Sequence, residues 1–130
     1  MTLLDARPET WTLICSVNAL TPGRGIAALV DDQAVAVFLF ASGEVVAIDN
    51  IDPCTGASVL SRGLIGHLRG PDGPVTYVAS PLRKHRFDLA TGRCLDADTQ
   101  VRTWNARVCD GYLQVASQRS CSGNGTETIP

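Results

Sequence analysis

The side chains most able to carry chemistry in this 130-residue chain are five cysteines and two histidines, since thiolates and imidazoles bind transition metals. They are Cys15, Cys54, Cys94, Cys109, Cys121, His67 and His85. No two cysteines have the C-x-x-C spacing that is typical of zinc and thioredoxin-like sites, and their odd number disfavours a disulfide framework. We therefore expect thiols that are free or metal-bound, as in a reducing cytoplasm.

Motifs for independent catalysis do not accompany these residues. The sequence has neither a G-x-S-x-G nucleophile elbow nor a phosphate-binding G-x-x-x-x-G-K loop. Its two histidines are scattered and do not suggest a triad-like group. No catalytic site of its own is predicted for the chain.

The composition is that of one globular domain. Hydrophobic residues make up 45% of the chain and charged residues 18%, which is too apolar for a disordered protein. Polar composition at both ends predicts flexible tails at residues 1–10 and 117–130. The folded domain is predicted to span residues 11–116.

Charge and hydropathy limit the partners that the chain can have. The 11 basic and 13 acidic residues give a net charge of −2, so no overall charge attracts the chain to nucleic acid or to anionic lipid. The longest apolar stretch, residues 34–41, is far shorter than the ~20 residues that span a bilayer. The N-terminus lacks a secretory pattern. We expect a cytoplasmic protein without a nucleic-acid or membrane partner.

The apolar runs are short, rich in Val and Ile, and separated by turn residues, which predicts an all-β antiparallel sandwich or barrel. We predict a single helical turn at residues 57–61 and hairpins that close at Asp31-Asp32 and Asp110-Gly111. The nine predicted strands are residues 12–17, 26–30, 34–40, 45–48, 64–68, 75–79, 86–89, 103–108 and 112–115. Alternation along the first of these places Leu13 and Cys15 on one face, with Cys15 as a small core residue.

Two loops interrupt the strand pattern and hold the unusual residues. Residues 49–63 and residues 78–92 each follow a predicted strand, and each contains proline and glycine, which favour a fixed irregular path. Cys54 lies in the first loop. The second loop contains Arg83-Lys84-His85-Arg86, the densest positive charge in the chain.

These two loops resemble the cluster-binding loops of a Rieske domain. The shared framework consists of Gly56-Ala57, Leu60, Gly63, Pro81, Phe87-Asp88 and Thr91-Gly92. The resemblance implies an all-β, Rieske-like antiparallel sandwich or barrel. It also implies that the two loops protrude at the cluster site.

The four cluster-ligand positions of a Rieske domain are all changed in this sequence. On the loop framework, Asp52 and Ser80 stand at the cysteine positions, while Cys54 and Arg83 stand at the histidine positions. A Rieske centre needs two thiolates on one iron and two imidazoles on the other. A guanidinium offers no lone pair and adds positive charge near the iron. We therefore predict that this degenerate site binds no metal.

The loop pattern is most similar to that of the small subunits of bacterial assimilatory NAD(P)H-dependent nitrite reductases, over residues 11–115. Its most specific runs are residues 49–53, 59–66 and 78–89. The resemblance implies a large partner subunit that carries FAD, an iron–sulfur cluster and sirohaem and reduces nitrite to ammonium. This chain would then be an accessory subunit that binds no cofactor and docks to and supports the large one.

The basic run has two interpretations. It forms a docking surface for acidic groups of the large subunit, or it is a solvated loop. The residues concerned are Arg83, Lys84, His85 and Arg86. Asp49, Asp52 and Asp88 are near in sequence and offer internal partners for these cations as a further alternative.

Two other classes of protein stay open. One is a Rieske-type, ferredoxin-like electron-transfer protein with a metal centre built on Cys54 and His85 or another ligand. The other is a β-barrel that binds nucleic acid through the basic run, which the acidic net charge disfavours. Without a role in metal binding, Cys54 is a loop thiol and His67 is a surface or hydrogen-bonded histidine.

Overall fold

A computed structural model describes residues 10–117, and its regular structure confirms the predicted all-β class. The tails predicted at residues 1–10 and 117–130 lie outside the described residues except for Thr10 and Ser117, and Cys121 also lies outside them. The strands are β1 (Trp11–Ser16), β2 (Gly25–Val30), β3 (Gln33–Leu39), β4 (Val45–Asp49), β5 (Leu64–Gly70), β6 (Gly73–Ala79), β7 (Arg86–Asp88), β8 (Thr103–Trp104), β9 (Ala106–Cys109) and β10 (Tyr112–Ala116). Two 3-10 turns span Val17–Ala19 and Leu60–Arg62. No helix among the described residues is long and apolar enough to cross a membrane.

The strands form three antiparallel sheets. Their orders are β1-β10-β9, β2-β3-β4-β8 and β5-β6-β7. The β2–β3 and β9–β10 hairpins close at the predicted turn residues, and Asp31, Asp32 and Asp110 take the positive φ that such tight turns require. Strand β5 begins directly after the first loop, β6 leads into the second loop, and β7 lies within the second loop, so this sheet holds parts of both loop regions in place.

Strand β3 lies between β2 and β4 in the four-stranded sheet and is buried on both faces. Val35, Val37 and Leu39 belong to one apolar cluster, together with Leu113 and Val115 of β10. Ala36 and Phe38 belong to a second cluster on the other face, which also contains Leu60, Val78 and Phe87. Burial on both faces explains why residues 34–40 read as an unbroken apolar run and not as an alternating one. The second cluster contains residues of both loops, Leu60 of the first and Phe87 of the second, and so packs both loops against β3.

The structure differs from the predicted strands at two places and from the predicted helical turn at a third. The predicted strand 103–108 is two strands, because β8 pairs with β4 whereas β9 pairs with β10. A register shift in β1 separates Leu13 from Cys15, so Leu13 is 57% exposed while Cys15 packs against the first cluster. The helical turn predicted at residues 57–61 is a 3-10 turn that begins at Leu60.

Candidate functional site

Asn50 organises the first loop, directly after β4. Its buried side chain accepts the Ser61 backbone N–H at Oδ1 over 2.6 Å and donates from Nδ2 to Ser58 Oγ over 2.8 Å. Its carbonyl oxygen accepts the backbone N–H groups of Val59 and Leu60, each at 3.0 Å. These bonds tie Asn50, at the start of the loop, to residues 58–61 near its end, and so hold the loop closed.

Ser80 organises the second loop, directly after β6. Its backbone N–H donates to the His85 carbonyl oxygen at 2.8 Å, and its own carbonyl accepts the Lys84 N–H at 2.9 Å. These bonds close residues 80–85 into a tight loop. Lys84 has a φ of 61°, in the left-handed region that favours glycine.

A buried hydrogen bond joins the two loops. Ser80 Oγ donates to Asp52 Oδ2 at 2.6 Å, across 28 positions of sequence. Asp52 is fully buried and Ser80 is 1% exposed. The two residues at the cysteine positions of the Rieske framework thus contact each other directly. We call this Asp52–Ser80 hydrogen bond the clasp.

Cys54, at the first histidine position, is a half-buried free thiol beside the clasp. Its backbone N–H donates to Asp52 Oδ1 at 2.8 Å. Burial raises the pKa of the Cys54 thiol, and the negative charges of Asp52 and Cys94 raise it further, whereas the nearby Arg83 guanidinium lowers it. A raised pKa keeps the thiol protonated at neutral pH, which disfavours both metal ligation and nucleophilic attack.

The basic run divides into free and bound cations. Arg83 and Lys84 are exposed and make no ion pair with residues 10–117. Arg86 is bound to Asp96, with Nη2 at 2.8 Å from Oδ1 and Nε at 3.0 Å from Oδ2, and its guanidinium lies over the Tyr77 ring. These hydrogen bonds hold the pKa of the Asp96 carboxyl at about 2. Arg83 and Lys84 are therefore the cations of the run that remain available to a partner.

The two histidines have different surroundings. His67 is exposed, and its Nδ1 lies 3.1 Å from Thr76 Oγ1, which confirms the predicted hydrogen-bonded surface histidine. His85 is half-buried, and its buried Nδ1 has no hydrogen-bond partner among the described residues. Neither lies in a group of three or more His, Cys, Asp or Glu side chains that could hold a metal within residues 10–117.

The carboxylates expected as internal partners of the basic run have other partners. Asp49 binds Arg102 Nε at 3.1 Å and Trp104 Nε1 at 2.9 Å, Asp52 accepts from Ser80, and Asp88 accepts the Ala90 N–H at 2.8 Å. The interpretation that they pair with the run is therefore wrong. Sequence reasoning missed Asp96, because the segment after Cys94 returns to β7 through the Leu95–Arg86 backbone bond, and no spacing signals that return.

The glycines of the Rieske framework are explained by packing. A Cβ on Gly63 would collide with the carbonyl oxygen of Ala79 at the end of β6. A Cβ on Gly92 would collide with the carbonyl oxygen of Val101, and Gly92 also has a φ of +81°. Phe87 is fully buried in the second cluster. These framework residues shape the loops whether or not a metal lies between them.

The donor set of the site does not fit a 2Fe-2S cluster. The oxygen atoms at the two cysteine positions are hydrogen-bonded to each other, so the clasp joins the two atoms that would have to be ligands of one iron. The two histidine positions hold one thiol with a raised pKa and one guanidinium. No two-thiolate, two-imidazole set exists here, and no electron-transfer step is assigned to this site.

Fold and loop framework together define a Rieske-like domain. The family model described as a Rieske-like 2Fe-2S domain matches residues 10–116, so the chain belongs to that family. Relatives make the assignment finer. The NADH-dependent nitrite reductase small subunit of Salmonella typhimurium is 45% identical over 107 residues, which are 81% of this chain and 95% of that protein. Within the Rieske-like family, the chain belongs to the small subunits of NAD(P)H-dependent nitrite reductase, as the loop pattern predicted.

Two further likenesses support this assignment. The solved NMR structure of the Escherichia coli protein NirD superimposes with a TM-score of 0.77 at 40% identity, and covers 86% of this chain and 100% of that one. The NAD(P)H nitrite reductase large subunit of Klebsiella oxytoca is 39% identical over 117 residues, which are 89% of this chain but 12% of that protein. In that relative, a segment similar to this chain is part of the large polypeptide.

Proposed function

We propose that the chain is an accessory subunit that supports the large subunit of an NAD(P)H-dependent nitrite reductase and supplies neither a catalytic site nor a cofactor. FAD, the iron–sulfur cluster and sirohaem then belong to the large subunit, where nitrite is reduced to ammonium. The observation that carries this proposal is the clasp. A direct hydrogen bond joins the two cysteine positions of the Rieske framework, in a chain whose relatives include nitrite reductase small subunits.

The surface that docks is the end of the molecule where the second loop lies. Leu64 is 79% exposed and Leu82 is 55% exposed, and Leu64 pairs with Ala79, which directly precedes Ser80 in the second loop. We call Leu64, Leu82, Arg83 and Lys84 the tip surface. Exposed leucines next to unpaired cations suit an interface with an apolar centre and a charged rim. The partner surface on the large subunit is therefore expected to be acidic around an apolar patch.

His85 and Arg86 take a smaller part in this proposal than Arg83 and Lys84. Arg86 is already neutralised by Asp96, and the His85 ring is half-buried. A charge that has an internal partner contributes less to the attraction of an acidic surface than an unpaired one. Docking is thus assigned to the part of the basic run that lacks internal ion pairs.

Charge reversal tests the docking surface. Arg83→Glu or Lys84→Glu should weaken binding to the purified large subunit by about tenfold at low salt, mainly through slower association, because rim charges steer the encounter. Surface plasmon resonance at several salt concentrations measures both rates. The matched control is Arg69→Glu, an exposed cation five residues along β5 from Leu64, or roughly 17 Å away.

The outcomes separate clearly. Equal effects of the tip and control reversals would show that general charge matters and the tip surface does not. A wild-type chain that fails to bind the large subunit, or leaves its stability and nitrite reduction unchanged, would contradict the accessory role itself.

A further inference from the structure

We infer that the clasp performs the structural task of the missing cluster. It fixes the second loop against the first, so that Arg83 and Lys84 are presented to the large subunit in one orientation. Asp52 and Ser80 are positioning residues in this account, since neither is exposed enough to touch the partner. The inference rests on the proposed function, because it concerns the surface proposed to dock.

The first loop holds the Asp52 carboxylate rigidly. The Asp52 backbone N–H donates to the Ala57 carbonyl at 2.8 Å, and its own carbonyl accepts the N–H groups of Thr55 and Gly56 at 3.1 and 2.7 Å. Oδ1 is occupied by the Cys54 N–H at 2.8 Å. Because these bonds fix the backbone and Oδ1, they also fix the position of Oδ2, which accepts the Ser80 hydroxyl.

Ser80 connects Asp52 to the part of the second loop that carries Arg83 and Lys84. Besides donating to Asp52, its Oγ lies 3.4 Å from the Leu82 N–H, and its carbonyl accepts the Lys84 N–H at 2.9 Å. Ser80 is therefore bonded to the residues on both sides of Arg83. Among the hydrogen bonds of residues 10–117, the clasp is the only one that links residues 50–61 to residues 80–85.

Burial makes the clasp hard to replace. Asp52 is fully inaccessible, so water has no access to the carboxylate if the serine hydroxyl is removed. A buried acceptor that loses its partner keeps its full desolvation penalty. The loop must then open to hydrate Asp52, and opening displaces Arg83 and Lys84.

Hydrogen exchange tests the clasp within the isolated full chain. Ser80→Ala should increase the exchange rate of the Lys84 amide, whose backbone acceptor the substitution leaves in place, by about tenfold, while the β3 amides keep their protection. Ser80→Thr keeps the hydroxyl and should restore slow exchange. Ser58→Ala is the matched control, since it removes a serine hydrogen bond of 2.8 Å that lies within the first loop and does not join the loops. Unchanged exchange in Ser80→Ala would overturn the inference.

Should Ser80→Ala lose its fold, a second variant keeps the test possible. Replacing both Asp52 and Ser80 by Ala removes the clasp without leaving a buried carboxylate, so it avoids the desolvation penalty of an unpaired acceptor. The same local increase in the exchange of the second loop is expected. Protection equal to wild type in a folded double variant contradicts the inference.

A double-mutant cycle tests whether the clasp acts through the cations. Ser80→Ala should weaken binding to the large subunit by about tenfold in the wild-type background and have little effect when Arg83 and Lys84 are both Gln. A merely structural role predicts the same loss in both backgrounds, and that result would overturn the positioning role. If wild-type chain does not bind at all, the proposed function fails, whereas the exchange experiment still decides whether the clasp fixes the loop.

Discussion

At the scale of residues, the buried polar side chains of residues 10–117 are concentrated in the two loops. They are Asn50, Asp52, Ser61 and Ser80. The side chains of Asn50, Asp52 and Ser80 find partners inside the loops: Asn50 accepts from the Ser61 N–H, and Ser80 donates to Asp52. Burying a polar group without a partner is costly, so these paired groups favour the one conformation in which their hydrogen bonds form. These hydrogen bonds therefore give the loops a source of rigidity that needs no metal.

The reactivity of Cys54 tests the electrostatics at this scale. Because Arg83 lowers the pKa of the Cys54 thiol, Arg83→Gln should raise that pKa, reduce the thiolate fraction and slow alkylation by iodoacetamide near neutral pH. Mass spectrometry of the Cys54 peptide across a pH series gives the rates. Arg69→Gln serves as the control and should leave the rate unchanged. Faster alkylation in Arg83→Gln would show that the guanidinium does not stabilise the thiolate.

The pairing of Asp96 with Arg86 should make stability depend on acid pH. The pKa of Asp96 is about 2 in the folded chain against an ordinary 3.8, so its contribution to stability is present above about pH 4 and is lost as the pH falls towards 2. Asp96→Asn should therefore be less stable than wild type at neutral pH, and this difference should shrink over that window.

Urea unfolding of both chains at neutral pH and along the acid series measures this difference. Asp98→Asn is the control, an exposed carboxylate without an ion pair among the described residues. A difference between Asp96→Asn and wild type that stays constant down to pH 2 would contradict the assignment.

At the scale of elements, two glycines with similar backbones separate strain from packing. Gly43 and Gly92 have φ of +92° and +81°, but a Cβ on Gly43 would meet nothing within 4 Å, whereas one on Gly92 would collide with the carbonyl oxygen of Val101. Gly43→Ala should lower the free energy of unfolding by about 1 kcal/mol and Gly92→Ala by about 3 kcal/mol. Chemical denaturation measures both changes. Equal losses would mean that the close approach of Gly92 to Val101 adds nothing.

The elements also show how far the sequence leads. Turn residues such as Asp110-Gly111 have local causes, so the hairpins were predictable. The register shift after Leu13 and the division of residues 103–108 depend on which strand lies alongside, which is a tertiary property. The clasp has both a part that the sequence predicts and a part that depends on tertiary structure. The loop framework identified Asp52 and Ser80 as cluster positions, but only the fold brings their side chains into contact.

At the scale of the whole molecule, the relationship to the large subunit has a covalent counterpart. In the K. oxytoca large subunit, a segment of similar sequence occupies 12% of a single polypeptide. Joining two partners in one chain raises their effective concentration without adding any contact. The separate chain proposed here has no covalent link to the large subunit, so its association depends on binding affinity alone. The contacts of the tip surface would have to supply that affinity.

The iron and sulfide content is the property of the whole molecule that most needs measurement. We expect the protein, expressed and purified anaerobically, to be colourless and to hold only traces of iron and acid-labile sulfide, because the clasp joins two ligand positions and Arg83 occupies a third. A Rieske ferredoxin purified in parallel shows that clusters survive the procedure. Visible absorption with near-stoichiometric iron would instead support an electron-transfer protein with unusual ligands. Cys54 would then be the thiol to test, since loss of iron in Cys54→Ser alone would locate that metal at the degenerate site.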